Sequence, residues 1–133
     1  MTPSAVRDGL KTALQTITSL RHYYDTIPDS INTPAAVVGQ LEIEWDASMV
    51  RGSDRGLVDV LIFASRMSER SGQDLLDGYL AGSGAASVKT AIEADPTLSG
   101  AVDTTRVIRA TPIATNIAGV EYLGYRYEVE VYG

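Results

Sequence analysis

Four glutamates fall into two pairs spaced i, i+2: Glu42 with Glu44, and Glu128 with Glu130. On an extended chain this spacing puts both carboxylates of a pair on one face. Paired carboxylates can share acid–base work or hold a hard cation. No other polar residues converge on them in the sequence, so a solvated or interface-lining charged face is the simpler expectation. His22 is the single histidine, and its nearest carboxylate is Asp25. It reads as a packed or surface residue rather than a metal ligand. The absence of cysteine removes disulfides, thiolate zinc sites and a cysteine nucleophile. The segment GSGAASVKT, residues 82–90, approximates a phosphate-binding loop. It carries Val88 where the glycine before the lysine belongs, and Ser83 where the first glycine belongs. The segment before it also reads as a helix, where that motif needs a strand. A helix–helix connector is expected instead. No serine sits in a G-x-S-x-G elbow. The expectation is a protein with no catalytic site, no cofactor and no metal.

Residues suited to contact are easier to find. Seven tyrosines stand against one phenylalanine. Tyrosine suits sites where a ring is half packed and half wet, at protein contacts or on an ordinary strand rim. The stretch DASMVRGSDRG, residues 46–56, is longer than a tight hairpin needs. It holds apolar Met49 and Val50 flanked by Arg51 and Arg55. These either form a contact surface or fold back onto a sheet edge. A second polar stretch, residues 25–34, carries Pro28, Ile31 and Pro34. Its prolines forbid helix and would stiffen a loop that sets the next strand or touches a neighbour.

The elements that must position these residues follow from periodicity. Thr2-Pro3 opens a helix over about 3–19, with a hydroxyl at the cap and proline at its start. Val6, Leu10, Leu14 and Ile17 form its apolar face. Residues 21–24, RHYY, read as a short strand. A second strand spans 35–45, with Leu41, Ile43 and Trp45 on a dry face and Glu42 and Glu44 on a wet one. Residues 57–67 are apolar on both faces and predict a central strand. Ser68 caps a helix carrying Leu75, Leu76, Tyr79 and Leu80, and a shorter helical piece, SVKTAIEAD, ends before Pro96. Strands close the chain at 101–113 and 119–133. In the last, Leu123, Tyr125, Tyr127, Val129 and Val131 alternate with Tyr122, Arg126, Glu128 and Glu130.

The order α-β-β-β-α-α-β-β has no repeated β-α-β unit. It predicts an α+β fold, an antiparallel or mixed sheet of four to five strands packed by the N-terminal helix and a central helical segment. The length, 133 residues, suits a single domain. A hydrophobic fraction of 44% argues against disorder. With 11 Lys and Arg against 17 Asp and Glu, the net charge is −6. That opposes nucleic-acid or anionic-membrane binding, which needs a basic footprint. The first residues lack the pattern of a signal peptide, and no apolar run approaches the ~20 residues of a membrane span.

The stretch LKTALQTITSLRHYYDTIPDSINTPAAVVG resembles the start of tail terminator proteins of long-tailed (siphovirus-type) actinobacteriophages. That family follows its first helix with a short aromatic strand, a loop of the type P-D-S-I-N-P-P-A and an Ala/Val strand. Here the loop runs Pro28 to Ala35, with Thr33 where the family pattern has proline. The stretches SRMSERSGQDLLDGYLAGSGAASVKTAIEADPTLSGAV and VEYLGYRYEVEVYG are also similar, so the likeness spans nearly the whole chain through loop and strand signatures. It implies a non-catalytic homohexameric ring in the virion, at the head-proximal end of the tail and assembled in the host cytoplasm. The ring would cap the major tail tube protein, stop its polymerisation and meet the head-side connector or stopper protein. DNA would pass through the lumen without specific binding, and acids would let it slide wherever they face that lumen. Met49, Val50, Arg51, Arg55, Pro28, Ile31, Pro34, Tyr122 and Arg126 are the candidate contacts with the tube or a neighbouring subunit. A connector or stopper protein, a small ligand-binding α+β domain, and an enzyme with an unrecognised acid–base pair are the competing expectations.

Overall fold

The computed structural model describes residues 2–17, 20, 22–24, 34–47, 49, 51–52, 54–66, 77–82, 84, 87–117 and 119–133. Helix α1 spans Pro3–Leu14. Pro3 stands in its first turn, where a missing N–H costs nothing. Thr2 takes the N-cap position with extended backbone, but its hydroxyl makes no capping bond. Its carbonyl instead accepts from the Val6 N–H at 3.0 Å. The helix stops short of the expected residue 19. The N–H groups of Thr16 and Ile17 bond back only three residues, to Ala13 and Leu14, and the Thr16 hydroxyl donates to the Ala13 carbonyl at 2.7 Å. This tightened turn ends the α-helix. Ile17 and Leu20 nevertheless stay in the core.

Strands β1 (His22–Tyr24), β2 (Ala35–Glu44), β3 (Arg55–Arg66), β4 (Thr104–Ile117) and β5 (Val120–Tyr132) form one sheet in the order β1-β2-β3-β5-β4. The fold is α+β, as the element order predicts. All neighbouring pairs are antiparallel except β1 and β2, which run parallel with His22 opposite Ala35. The length of the stretch 25–34 permits this. Its ten residues are ample to carry the chain back past a three-residue strand. A second helix, α2, spans Val88–Glu93. The Ser87 side chain accepts the Thr90 N–H at its start. Residues 77–80 are also helical. The expected cap at Ser68 and the residues Leu75 and Leu76 lie outside the described residues.

The helices cover one face of the sheet. Val6, Leu10, Leu14 and Ile17 pack there against Ala36, Val38, Val58, Val60, Ile62, Tyr127, Val129 and Val131, with Tyr79, Val88 and Ile92 from the central helical segment. The predicted dry face of β5 turns this way, and of the two apolar faces of β3 it is the one with Val58, Val60 and Ile62. The opposite face has no helix over it among the described residues. One end carries a small apolar cluster of Ala35, Val37, Phe63, Ile117 and Tyr122. The other end carries charge. The edge strand β4 contains Pro112, which cannot donate to a further strand and blunts that edge.

Candidate interaction surface

The charged end of the open face is built from arginine–glutamate pairs across strands. Arg55 of β3 donates from Nε to Glu130 of β5 at 2.7 Å, and its Nη1 lies 3.6 Å from Glu44 of β2. Arg109 of β4 meets Glu128 at 2.9 Å, and Arg126 stands 3.6 Å from the same carboxylate. The hydrogen bond that Arg55 donates to Glu130, and then the negative charge of Glu130, raise the pKa of the Arg55 guanidinium above its ordinary value. Glu128 and Glu130 thus face separate arginines, and Glu42 and Glu44 lie exposed on the neighbouring strand. The two glutamate pairs do not converge on a shared proton or cation. Among the described residues, no group of three or more His, Cys, Asp or Glu side chains is placed to hold a metal ion. A shallow groove of about 380 Å³ crosses this end between Gln40, Leu57, Ile108 and the ion pairs.

Two wet-face expectations for β5 are corrected. Glu130 is only 5% exposed and Tyr122 6%. Glu130 is covered because its partner Arg55 and the flanking strands close over it. Tyr122 is covered because the apolar cluster occupies its end of the face. Its ring meets Phe63 edge-on, with centroids 6.4 Å apart and planes at 68°. Tyr122 therefore serves its own chain's packing, whereas Arg126 remains half-exposed on the same face.

The turn between β2 and β3 is the second feature. Trp45 was expected to point with Leu41 and Ile43 into the dry face. It is instead 72% exposed, because β2 ends at Glu44 and Asp46 takes a left-handed φ of 53°. Met49 is 96% exposed and also left-handed, with φ 61°. Met49 does not fold back onto the sheet edge.

The tip is held by its own polar groups. The Gly52 N–H donates to Asp46 Oδ1 at 3.0 Å, and the Asp46 N–H donates to Asp54 Oδ1 at 3.1 Å. The Met49 N–H donates to the Asp46 carbonyl at 2.9 Å. At the base, Asp54 exchanges backbone hydrogen bonds with Gly133, 3.2 and 3.0 Å. Asp tolerates the left-handed region and bonds local amides readily, which is why this acid-rich stretch forms a defined turn. Arg51 is exposed on the tip, and Arg55 belongs to the first position of β3. Pro34 stands half-buried just before β2. Pro28, Ile31 and Val50 lie outside the described residues.

Trp45 is the exposed aromatic that periodicity missed. Alternation assigned it to the strand, and the signal that could have moved it is the Asp46 that follows, a residue suited to turn entry. No helix among the described residues is long and apolar enough to cross a membrane. No family model matches the chain, and no curated protein is significantly similar to it.

Proposed function

We propose that the chain is a structural ring protein of a virus tail. In this reading it caps the tail tube, stops its growth and joins the tail to the head-side connector while DNA passes through. The observation that carries the reading is the tip of the β2–β3 turn. A tryptophan and a methionine stand in solvent on a loop locked by three tip hydrogen bonds. Exposing Trp is costly in water, and a rigid aromatic anchor loses little entropy when it binds. Such a feature fits a protein that works by contact with other subunits.

Further support comes from the open sheet face, whose charges are spent in Arg–Glu pairs rather than in a converging site. The chain's net charge of −6 suits a passage through which DNA slides, because like charge denies DNA the gain from counterion release. The similarity of the opening and closing stretches to tail terminators supplies the particular assignment. Negative-stain microscopy of the purified protein is the test. Rings with a central hole are expected, and a population of compact monomers or dimers at every concentration would refute the reading.

A further inference from the structure

We infer that β4 of one copy pairs with the free length of β2 in the next copy, joining their sheets edge to edge. The contact rests on the self-association in the reading above and names the surface that makes it. Strand β1 lies beside only Ala35, Ala36 and Val37 of β2. Residues 38–44 therefore have no strand on that side among the described residues. At the other edge of the sheet, β4 has no outer neighbour among them either. Pro112 blunts β4 only in its second half, and residues 104–111 hold no proline. Two open edges of similar length thus lie at the same end of the sheet. Such edges carry N–H and C=O groups that a further strand can satisfy.

The register selects a second copy as that strand's source. Glu42 stands opposite Leu57, Leu57 opposite Glu130, and Glu130 opposite Arg106. Directly opposite residues share one face of a sheet. This row therefore begins with a carboxylate on one edge and ends with a guanidinium on the other, both exposed. Neither side chain has an ion pair among the described residues, because Glu130 is held by Arg55, and Glu128 by Arg109 and Arg126. Continued into a second copy, the row brings Arg106 to Glu42. The row beside it, Glu44-Arg55-Tyr132-Thr104, brings Thr104 to Glu44 in the same way. Three antiparallel pairings separate β2 from β4, so the two strands run in opposite senses and would pair antiparallel. Opposite charges attract across strands and like charges repel. Pairing of β4 with β2 is thus favoured, and pairing of either edge with itself is opposed. One copy can offer both edges at once. A heterologous contact of this kind closes into a ring or runs on as a filament.

Sedimentation velocity over a concentration series tests the contact with the chain alone. Wild type should associate. Arg106→Glu and Glu42→Arg should each weaken association by about 10-fold or more, because each turns an attraction across strands into a repulsion. The protein carrying both changes should regain wild-type association, since the pair is restored with its signs exchanged. Both positions are exposed, so each variant should melt as wild type does. The neighbouring row gives a second measurement that does not depend on these charges. The chain has no cysteine. Directly opposite residues of antiparallel strands stand ~4.5–5.5 Å apart at Cα, within the ~4.4–6.8 Å that a disulfide spans. Thr104→Cys mixed with Glu44→Cys in oxidised glutathione should link into a covalent heterodimer, and neither variant alone should link. The inference is overturned if wild type stays monomeric throughout, or if either single reversal associates like wild type. It is equally overturned if the double reversal associates no better than the single ones, or if the two cysteine variants associate without linking. Wild-type rings whose cysteine variants never link would refute this contact and leave the ring reading standing.

Discussion

Gly124 lies in the middle of β5, opposite Phe63 on one side and Ile113 on the other. A methyl group added there would stand 2.3 Å from the Ile62 carbonyl oxygen and 2.9 Å from Phe63 Cδ1. The oxygen belongs to the central strand and has nowhere to go, and the ring is held against Tyr122. Overpacking of this kind costs ~1–3 kcal/mol, at the upper end when backbone must move. Alanine returns ~0.5–1 kcal/mol by restricting the unfolded chain. A net loss of about 2 kcal/mol is expected for Gly124→Ala. At ~2.1 cal/mol/K per residue, 133 residues give an unfolding entropy near 0.28 kcal/mol/K. The melting temperature should therefore fall by about 7 °C. Gly82→Ala is the control, with open space around its Cβ. It should move the midpoint by no more than ~2 °C. Thermal melts by circular dichroism measure both. A Gly124→Ala protein that melts with wild type would refute the close approach of β3 and β5, and with it the packing that covers Tyr122.

Four further outcomes follow from the same geometry. Met49→Gly relieves a left-handed φ at an exposed side chain and should raise stability by ~0.5–1 kcal/mol; an unchanged or lower urea midpoint would contradict the tip conformation. Asp46→Ala removes the acceptor for the Gly52 amide, so hydrogen exchange at Gly52 should quicken while the core amides stay protected; equal protection at Gly52 would count against the lock. Glu130→Ala should lower the midpoint more than Glu44→Ala, because Glu130 is covered and Glu44 is 64% exposed in its side chain; equal effects in paired melts would oppose the assignment of Glu130 as Arg55's main partner. Burial, with a smaller contribution from neighbouring tyrosines, raises the phenols of Tyr23 and Tyr127 above their ordinary 10.0. Because the folded values are raised, this stability is fully present below pH 10 and is lost as pH rises beyond it; phenolate titration should show two late tyrosines released with unfolding, and early ionisation of all seven would contradict their burial.

The element order and the helix-side core were legible because periodicity reports burial directly. Val58, Val60 and Ile62 alternate, and so do Tyr127, Val129 and Val131, and each set reaches the core. The second face was less legible. Tyr122 and Glu130 sit at wet positions by alternation, but their covers, Phe63 and Arg55, come from another strand, and a single-strand pattern carries no such partner. Trp45 failed for a different reason. Its face depends on where β2 ends, and a strand boundary is decided by the Asp46 turn rather than by alternation. The parallel β1–β2 pair was hidden because a ten-residue connection permits either direction, and only register within the sheet decides. That residues 46–56 form a turn was visible in their Asp, Ser and Gly content, whereas its hydrogen-bond lock depends on Asp46 and Asp54 meeting across the turn.

The central claim is that this chain ends a growing tube by forming a ring upon it. The direct measurement is electron microscopy of tubes polymerised from the cognate tail tube protein with the chain added at increasing ratios. The account predicts a single ring of density on one end of each tube and a mean length that falls as the ratio rises. Tubes of unchanged length with bare ends, in the presence of folded protein, would contradict it.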